Sequence, residues 1–136
     1  MIRIALFALA LSPAAAFAAA PIDGHWITHD GKAVVEIGPC GARSCGRIAK
    51  LLVARTGGPM TDIHNPDPML RGRAMEGLVV LTGFAPAGRS WHGEIYSPED
   101  GKSYRSTIER SGPDRLKLRG CVARIFCKSF IWKRAP

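Results

Sequence analysis

The chain has no run of about 18 consecutive apolar residues, the length that a membrane-spanning helix requires. It also lacks a Gly-x-Ser-x-Gly elbow, a His-Glu-x-x-His pair and a phosphate-binding glycine loop. Its four cysteines do not have the spacing of a zinc knuckle. These absences predict no stable membrane span, no metal and no cofactor, and they leave catalysis without a positive sign.

The first 18 residues have the pattern of a secretory signal peptide. Arg3 supplies a positive start, and an apolar core follows from Ile4 to Leu11. We expect cleavage after Ala18 and not two residues later, because Pro21 would be a poor first residue for the peptidase. The mature chain, residues 19–136, should then be a single domain in the periplasm or outside the cell.

Basic residues outnumber acidic ones, 19 to 11, which gives a net charge of +8 at pH 7. Removal of Arg3 with the signal peptide would lower this charge by one. A basic protein is drawn to anions such as lipid head groups, acidic polysaccharide or an acidic protein. Nucleic acid is the least available anion for an exported protein, and we predict no binding to it. A solvating surface charge explains the excess equally well.

Short β-type runs, separated by turn residues, recur along the mature chain. Asp30-Gly31 is a two-residue hairpin signal. Ser97 to Gly101 has the proline and the glycine that a type I turn with a left-handed glycine requires. No segment has a helical pattern. About eight hairpin-linked strands favour an all-β fold, a single antiparallel up-and-down barrel. Such a barrel is either filled by its side chains or holds one small ligand.

Two tryptophans and an arginine lie near the ends of the mature chain, Trp26 on the first predicted strand and Trp132 and Arg134 on the last. An arginine can stack on an indole where two strands meet. These residues therefore predict that the first and last strands close the barrel. The arrangement resembles the closure signature of lipocalin-like barrels.

The four cysteines form an even set behind an export signal, which indicates disulfides. Three pairings exist. We favour Cys40 with Cys45 and Cys121 with Cys127, because each pair would lie on adjacent strands of one hairpin.

One long segment, about residues 55–77, reads as neither strand nor helix. Pro66 and Pro68 each remove an amide donor and restrict the preceding residue, which excludes a helix or a central strand. Asx-turns at the neighbouring aspartates and asparagine should order the loop. Its two arginines could tie it down through Asp62 or Asp67, or meet an anionic ligand. Bonds between these arginines and the loop's own aspartates are the simpler interpretation.

A long ordered loop beside a barrel predicts a site for a small amphipathic ligand with an anionic head. The candidate ligand-binding residues are Asp62, Asn65, Asp67, Arg71, Arg73, Trp91 and Tyr104. Three loop oxygens are too few for Ca²⁺, which takes six to eight ligands. His92-x-Glu94 could transfer a proton, but a solvent-facing pair on a strand explains it better.

Several stretches resemble a family of exported bacterial proteins catalogued as a domain of unknown function, whose members are small lipocalin-like barrels. The motifs are Cys40-Gly41-x-x-x-Cys45-Gly46, Asn65-Pro66-Asp67-Pro68-x-Leu70-Arg71 and Ile95-Tyr96-x-Pro98-x-Asp100-Gly101-x-x-Tyr104. The resemblance implies a barrel, an export signal and binding of a small or lipidic ligand, without a reaction or a cofactor.

We therefore predict a non-catalytic exported binding protein for a small amphipathic or lipidic ligand at the barrel mouth. The alternative is an envelope interaction module or inhibitor that binds an acidic partner through a basic outer face. That face would comprise Lys117, Arg119, Lys128 and Lys133. The sequence predicts no particular oligomeric state.

Overall fold

The computed structural model describes residues 18–53, 60–123 and 125–136. Residues 1–17, most of the expected signal peptide, lie outside the described residues, as do residues 54–59 at the start of the predicted loop. Within the described ranges, no helix is both long enough and apolar enough to cross a bilayer.

In the described part of the chain, eight antiparallel strands, each beside its neighbours in sequence, form one closed barrel. The strands are β1 (Gly24–Ile27), β2 (Ala33–Cys40), β3 (Arg43–Leu51), β4 (Val79–Ala87), β5 (Ser90–Ser97), β6 (Lys102–Gly112), β7 (Arg115–Val122) and β8 (Phe126–Arg134). The predicted all-β up-and-down barrel is confirmed.

One turn of 3₁₀ helix, Pro68–Leu70, interrupts the loop between β3 and β4. The prediction that the prolines exclude any helix here was therefore wrong for this one turn. Proline is tolerated in a first helical turn, because the missing amide has no partner inside the helix there. Asp67 caps the turn by accepting the Met69 N–H at 2.9 Å.

Side chains alternate between the two faces of each strand, and one face carries the core. Ala33, Val35 and Ile37 are buried on β2, and Leu116 and Leu118 on β7. We call this the inner face, since successive residues of a strand point to opposite sides of a sheet.

One end of the barrel is filled by the residues that precede β1. Ile22 is fully buried, and its carbonyl accepts the Trp26 indole N–H at 2.9 Å. The Arg110 guanidinium donates to the Pro21 carbonyl at 2.7 Å. We call this the closed end. Because the strands run alternately up and down, the β1–β2, β3–β4, β5–β6 and β7–β8 connections lie at the opposite end, which we call the mouth end.

The barrel closes where β1 meets β8. Trp26 lies opposite Arg134 and Ile27 opposite Lys133. The Arg134 guanidinium carbon is 4.3 Å from the centroid of the Trp26 ring, a cation–π contact. Trp132, on the inner face of β8, is 7% exposed. The structure therefore shows the closure that these residues predict.

The β1–β8 ladder is short. Among the described residues it comprises two pairs, whereas β7 pairs with β8 from Arg115–Lys133 to Val122–Phe126. The part of β8 nearest the mouth end thus has a neighbouring strand on one side. On the other side of this part of β8, the His29 ring of the β1–β2 turn contacts the Phe130 ring, with centroids 4.2 Å apart.

Both disulfides join neighbours, as the favoured pairing predicts. Cys40 is bonded to Cys45 with a Cα–Cα distance of 5.7 Å, and Cys121 to Cys127 with 4.0 Å. The second pair lies directly opposite across β7 and β8. Each bond fixes the end of one hairpin.

Candidate ligand-binding site

The loop between β3 and β4 is built around the carboxylate of Asp62, which is fully buried. It accepts hydrogen bonds from the Tyr96 hydroxyl at 2.6 Å, the Asn65 amide at 2.8 Å and the Arg73 guanidinium at 3.1 Å. A buried carboxylate is stable only when it is paired and hydrogen-bonded. These contacts meet that requirement.

The same loop is ordered by side chain to backbone hydrogen bonds. The Asn65 side-chain oxygen accepts the Asp67 N–H at 2.9 Å, an Asx-turn. Arg71 Nε donates to the Asn65 carbonyl at 2.8 Å. The sequence allowed the two loop arginines either to hold the loop in place or to bind a ligand. The structure shows them hydrogen-bonded within the loop.

The network sets the protonation of its members. Burial raises the pKa of Asp62, but the hydrogen bonds from Tyr96, Asn65 and Arg73 outweigh it, so this pKa lies below its ordinary value. Burial and the bond to Asp62 raise the pKa of Tyr96. At neutral pH the pair is a carboxylate and a neutral phenol, which suits structural support.

The loop is seated on the β5–β6 turn at the mouth end. Gly101 has φ +69°, and a Cβ on it would come 1.8 Å from the His64 carbonyl oxygen. In the same turn the Tyr104 hydroxyl donates to Asp100, a contact that raises the pKa of Tyr104. Loop, turn and Tyr104 thus form one rim.

Trp91 lies apart from the other six predicted ligand residues. It is opposite Ile108 on β6, and its indole N–H donates to the Ala20 carbonyl at 2.9 Å, at the closed end. The structure therefore brings the five loop residues together and places Tyr104 on the same rim. Ligand binding by these residues stays a prediction.

A second group, which the list of candidate residues did not include, lies on the inner faces of β7 and β8. Val122 lies opposite Phe126, and they are 56% and 74% exposed. Next to them Lys128 lies opposite Gly120, and Phe130 lies opposite the buried Leu118. We call Val122, Phe126, Lys128 and Phe130 the mouth cluster. The sequence signal for it was a lysine among the apolar alternate positions 126, 130 and 132.

Lys128 lies on the inner face of β8 and not on the outer face that the sequence predicted. It was assigned to a basic outer face, but it is four residues from the buried Trp132 and opposite Gly120. A Cβ on Gly120 would approach Ser106, which is buried, so this position faces inward. The assignment of Lys128 to the outer face was wrong, since an even spacing along a strand keeps the same face.

An open depression of about 1420 Å³ is lined mainly by residues of β4 to β7, from both faces of the sheet. Its charged side chains include Arg43, Glu94, Arg105 and Arg119. With Lys102, four of these charged side chains are basic and one is acidic, and the lining of the depression extends to Val122 of the mouth cluster. No cluster of three or more potential metal ligands occurs among the described residues.

The sequence matches the model of a family described as an uncharacterized protein conserved in bacteria, DUF2147, over residues 24–134. The chain belongs to this family. The predicted resemblance is thereby confirmed. No curated protein matches this DUF2147 chain.

Among solved structures, the DUF2147 chain is similar to protein HP1028 from Helicobacter pylori, whose description places it in the lipocalin family. The two are 24% identical, with a TM-score of 0.75, over 85% of this chain and 84% of that one. At this identity the likeness shows a common fold, the lipocalin-like barrel.

Proposed function

We propose that this DUF2147 protein is a non-catalytic exported binding protein that holds one small amphipathic ligand at the mouth of its barrel. The observation that supports the proposal best is the exposed apolar pair on the inner face, Val122 and Phe126. Inner-face residues of a small barrel are normally covered by other core residues. A ligand chain would supply the missing cover.

The ligand would occupy the mouth and not the deep interior. At the closed end the inner face is filled by Ile22, Trp26, Leu116 and Trp132, none of which is more than 7% exposed. Beside the short β1–β8 ladder the His29 ring covers Phe130, so the ligand chain would lie over Val122 and Phe126.

The expected affinity follows from the apolar area. Covering about 100 Å² of Phe126 contributes about 2.5 kcal/mol, and Val122, Phe130 and the ligand's own surface add to it. Part of this gain offsets the entropy of association, so dissociation constants of about 1–100 μM are expected for single-chain amphipaths.

The candidate residues predicted from the sequence have different roles in this proposal. Tyr104 stays a candidate contact at the rim, and Asp62 with its loop partners supports that rim. The alternative is a basic outer surface that binds an acidic partner. Lys128 no longer belongs to that surface, whereas Lys117, Arg119 and Lys133 do. Export is part of the proposal: the signal-peptide pattern and the two disulfides both suit an oxidising compartment outside the cytoplasm.

The test is a titration of the mature protein with decanol and decanoate below their micelle concentrations, followed by amide NMR shifts and calorimetry. We expect the largest shifts in the mouth cluster, and Phe126→Ser should weaken binding about 70-fold, which corresponds to the loss of about 2.5 kcal/mol. Ile131→Ser is the matched control, since Ile131 is on the same strand, is 40% exposed and faces outward. No binding of either ligand, or equal loss in both variants, would refute the proposal.

A further inference from the structure

Lys128 is a charged residue in an apolar row. The inner-face positions of β8 are Phe126, Lys128, Phe130 and Trp132. Directly across from Lys128 on β7 is Gly120, and across from Gly120 on β6 is Ser106. Small residues therefore face the lysine, so its side chain has room on the inner side of the sheet.

The carboxylates of the neighbouring turns are already engaged. Glu99 pairs with Lys32 at 3.3 Å, and Asp100 accepts from Tyr104 and from the Lys102 N–H. Asp30 accepts the Thr28 hydroxyl at 2.7 Å. None of the ion pairs between described residues involves Lys128. In that part of the chain a cation thus lies between Phe126 and Phe130 along the inner face of β8 without a carboxylate partner.

We infer that Lys128 binds the anionic head of the ligand, so that the protein selects a single-chain carboxylate over a neutral chain of the same length. This inference rests on the proposed function. The long lysine stem can lie along Phe126 and Phe130 while its ammonium reaches the head group. The apolar chain of the ligand would then cover Val122 and Phe126. A charge-assisted hydrogen bond beside apolar surface should favour the carboxylate about tenfold.

A competing explanation comes from the free side of β8. Inward-pointing lysines on unpaired strand edges also prevent edge-to-edge association. This explanation predicts that removing the charge increases self-association and leaves ligand selectivity unchanged. The two explanations therefore differ in what they predict for the same variant.

The experiment compares decanoate with decanol on the wild-type protein and on Lys128→Met, Lys128→Arg and Lys133→Met. Lys133 is the matched control because it lies on β8 and faces outward, opposite Arg115. We expect Lys128→Met to lose the preference for decanoate and to keep its decanol affinity within about twofold. Lys128→Arg and Lys133→Met should keep the preference.

The failures of the two proposals are distinguishable. If neither ligand binds the wild-type protein, the proposed function fails. If both bind equally well to wild type, or if Lys128→Met keeps the preference for decanoate, the role of Lys128 is overturned and the binding function stands. A sedimentation measurement that finds only increased self-association in Lys128→Met would also overturn it, in favour of edge protection.

Discussion

Replacing Tyr96 by phenylalanine tests the buried network that holds the loop. The substitution removes the hydroxyl that donates to Asp62 at 2.6 Å and leaves the ring in place. Because the acceptor is a fully buried carboxylate, the loss of this hydrogen bond should cost about 2 kcal/mol of folding free energy. For a domain of this size, that corresponds to a fall in Tm of roughly 8 °C.

The cost should depend on pH. The pKa of Asp62 is depressed in the folded protein, so its contribution to stability is present above the unfolded value of about 3.9 and is lost as the pH falls through the folded value. Tyr96→Phe removes one of the hydrogen bonds that depress this pKa. The difference in unfolding free energy between wild type and variant should therefore be full at pH 7 and shrink below about pH 4.

The assay is urea unfolding of the oxidised protein at several pH values, followed by circular dichroism. Tyr104→Phe is the matched control, since its hydroxyl also donates to an aspartate, but to the exposed Asp100. We expect the control to lose less than about 1 kcal/mol. Equal losses in the two variants, or a Tyr96→Phe loss that does not change with pH, would refute the account of the network.

Two further predictions concern backbone and covalent constraints. Gly101→Ala should cost more than about 3 kcal/mol in urea unfolding, because the new Cβ would collide with the His64 carbonyl. Gly88→Ala, with a similar φ of +64° and open space, should cost about 1 kcal/mol, and similar costs at both sites would contradict the packing of the loop on the turn. Replacing Cys121 and Cys127 together by serine should cost about 2 kcal/mol, since the bond closes a loop with a sequence separation of 6. Peptide mapping that finds either cysteine joined elsewhere would contradict the pairing.

Much of the fold could be predicted from local sequence patterns. The period-2 alternation along the strands predicted the inner face, and turn residues such as Asp30-Gly31 predicted the hairpins. The Cys121–Cys127 pairing followed from the same pleat, because two residues opposite each other in one hairpin have few other arrangements. Such signals depend on neighbours in the chain, so a single sequence contains them.

The candidate site was predicted less well. The sequence pointed to the Asp62 loop, but the structure uses its polar groups to order the loop. The candidate list also grouped Trp91 with Tyr104, although each lies near the start of its strand and consecutive strands start at opposite ends of the barrel. Alternation predicts the face of a residue, and its level in the barrel follows only when the strand direction is considered as well.

The sequence by itself determined the alternating faces, the hairpin order and the near-neighbour disulfides, because each depends on residues a few positions apart. Only the tertiary structure decided that Tyr96, 34 residues away, is the partner of Asp62. It alone decided that, among the described residues, the short β1 leaves the part of β8 around Lys128 and Phe130 with one neighbouring strand. The physical reason is register: contacts between distant strands depend on how all eight strands are staggered when the barrel closes.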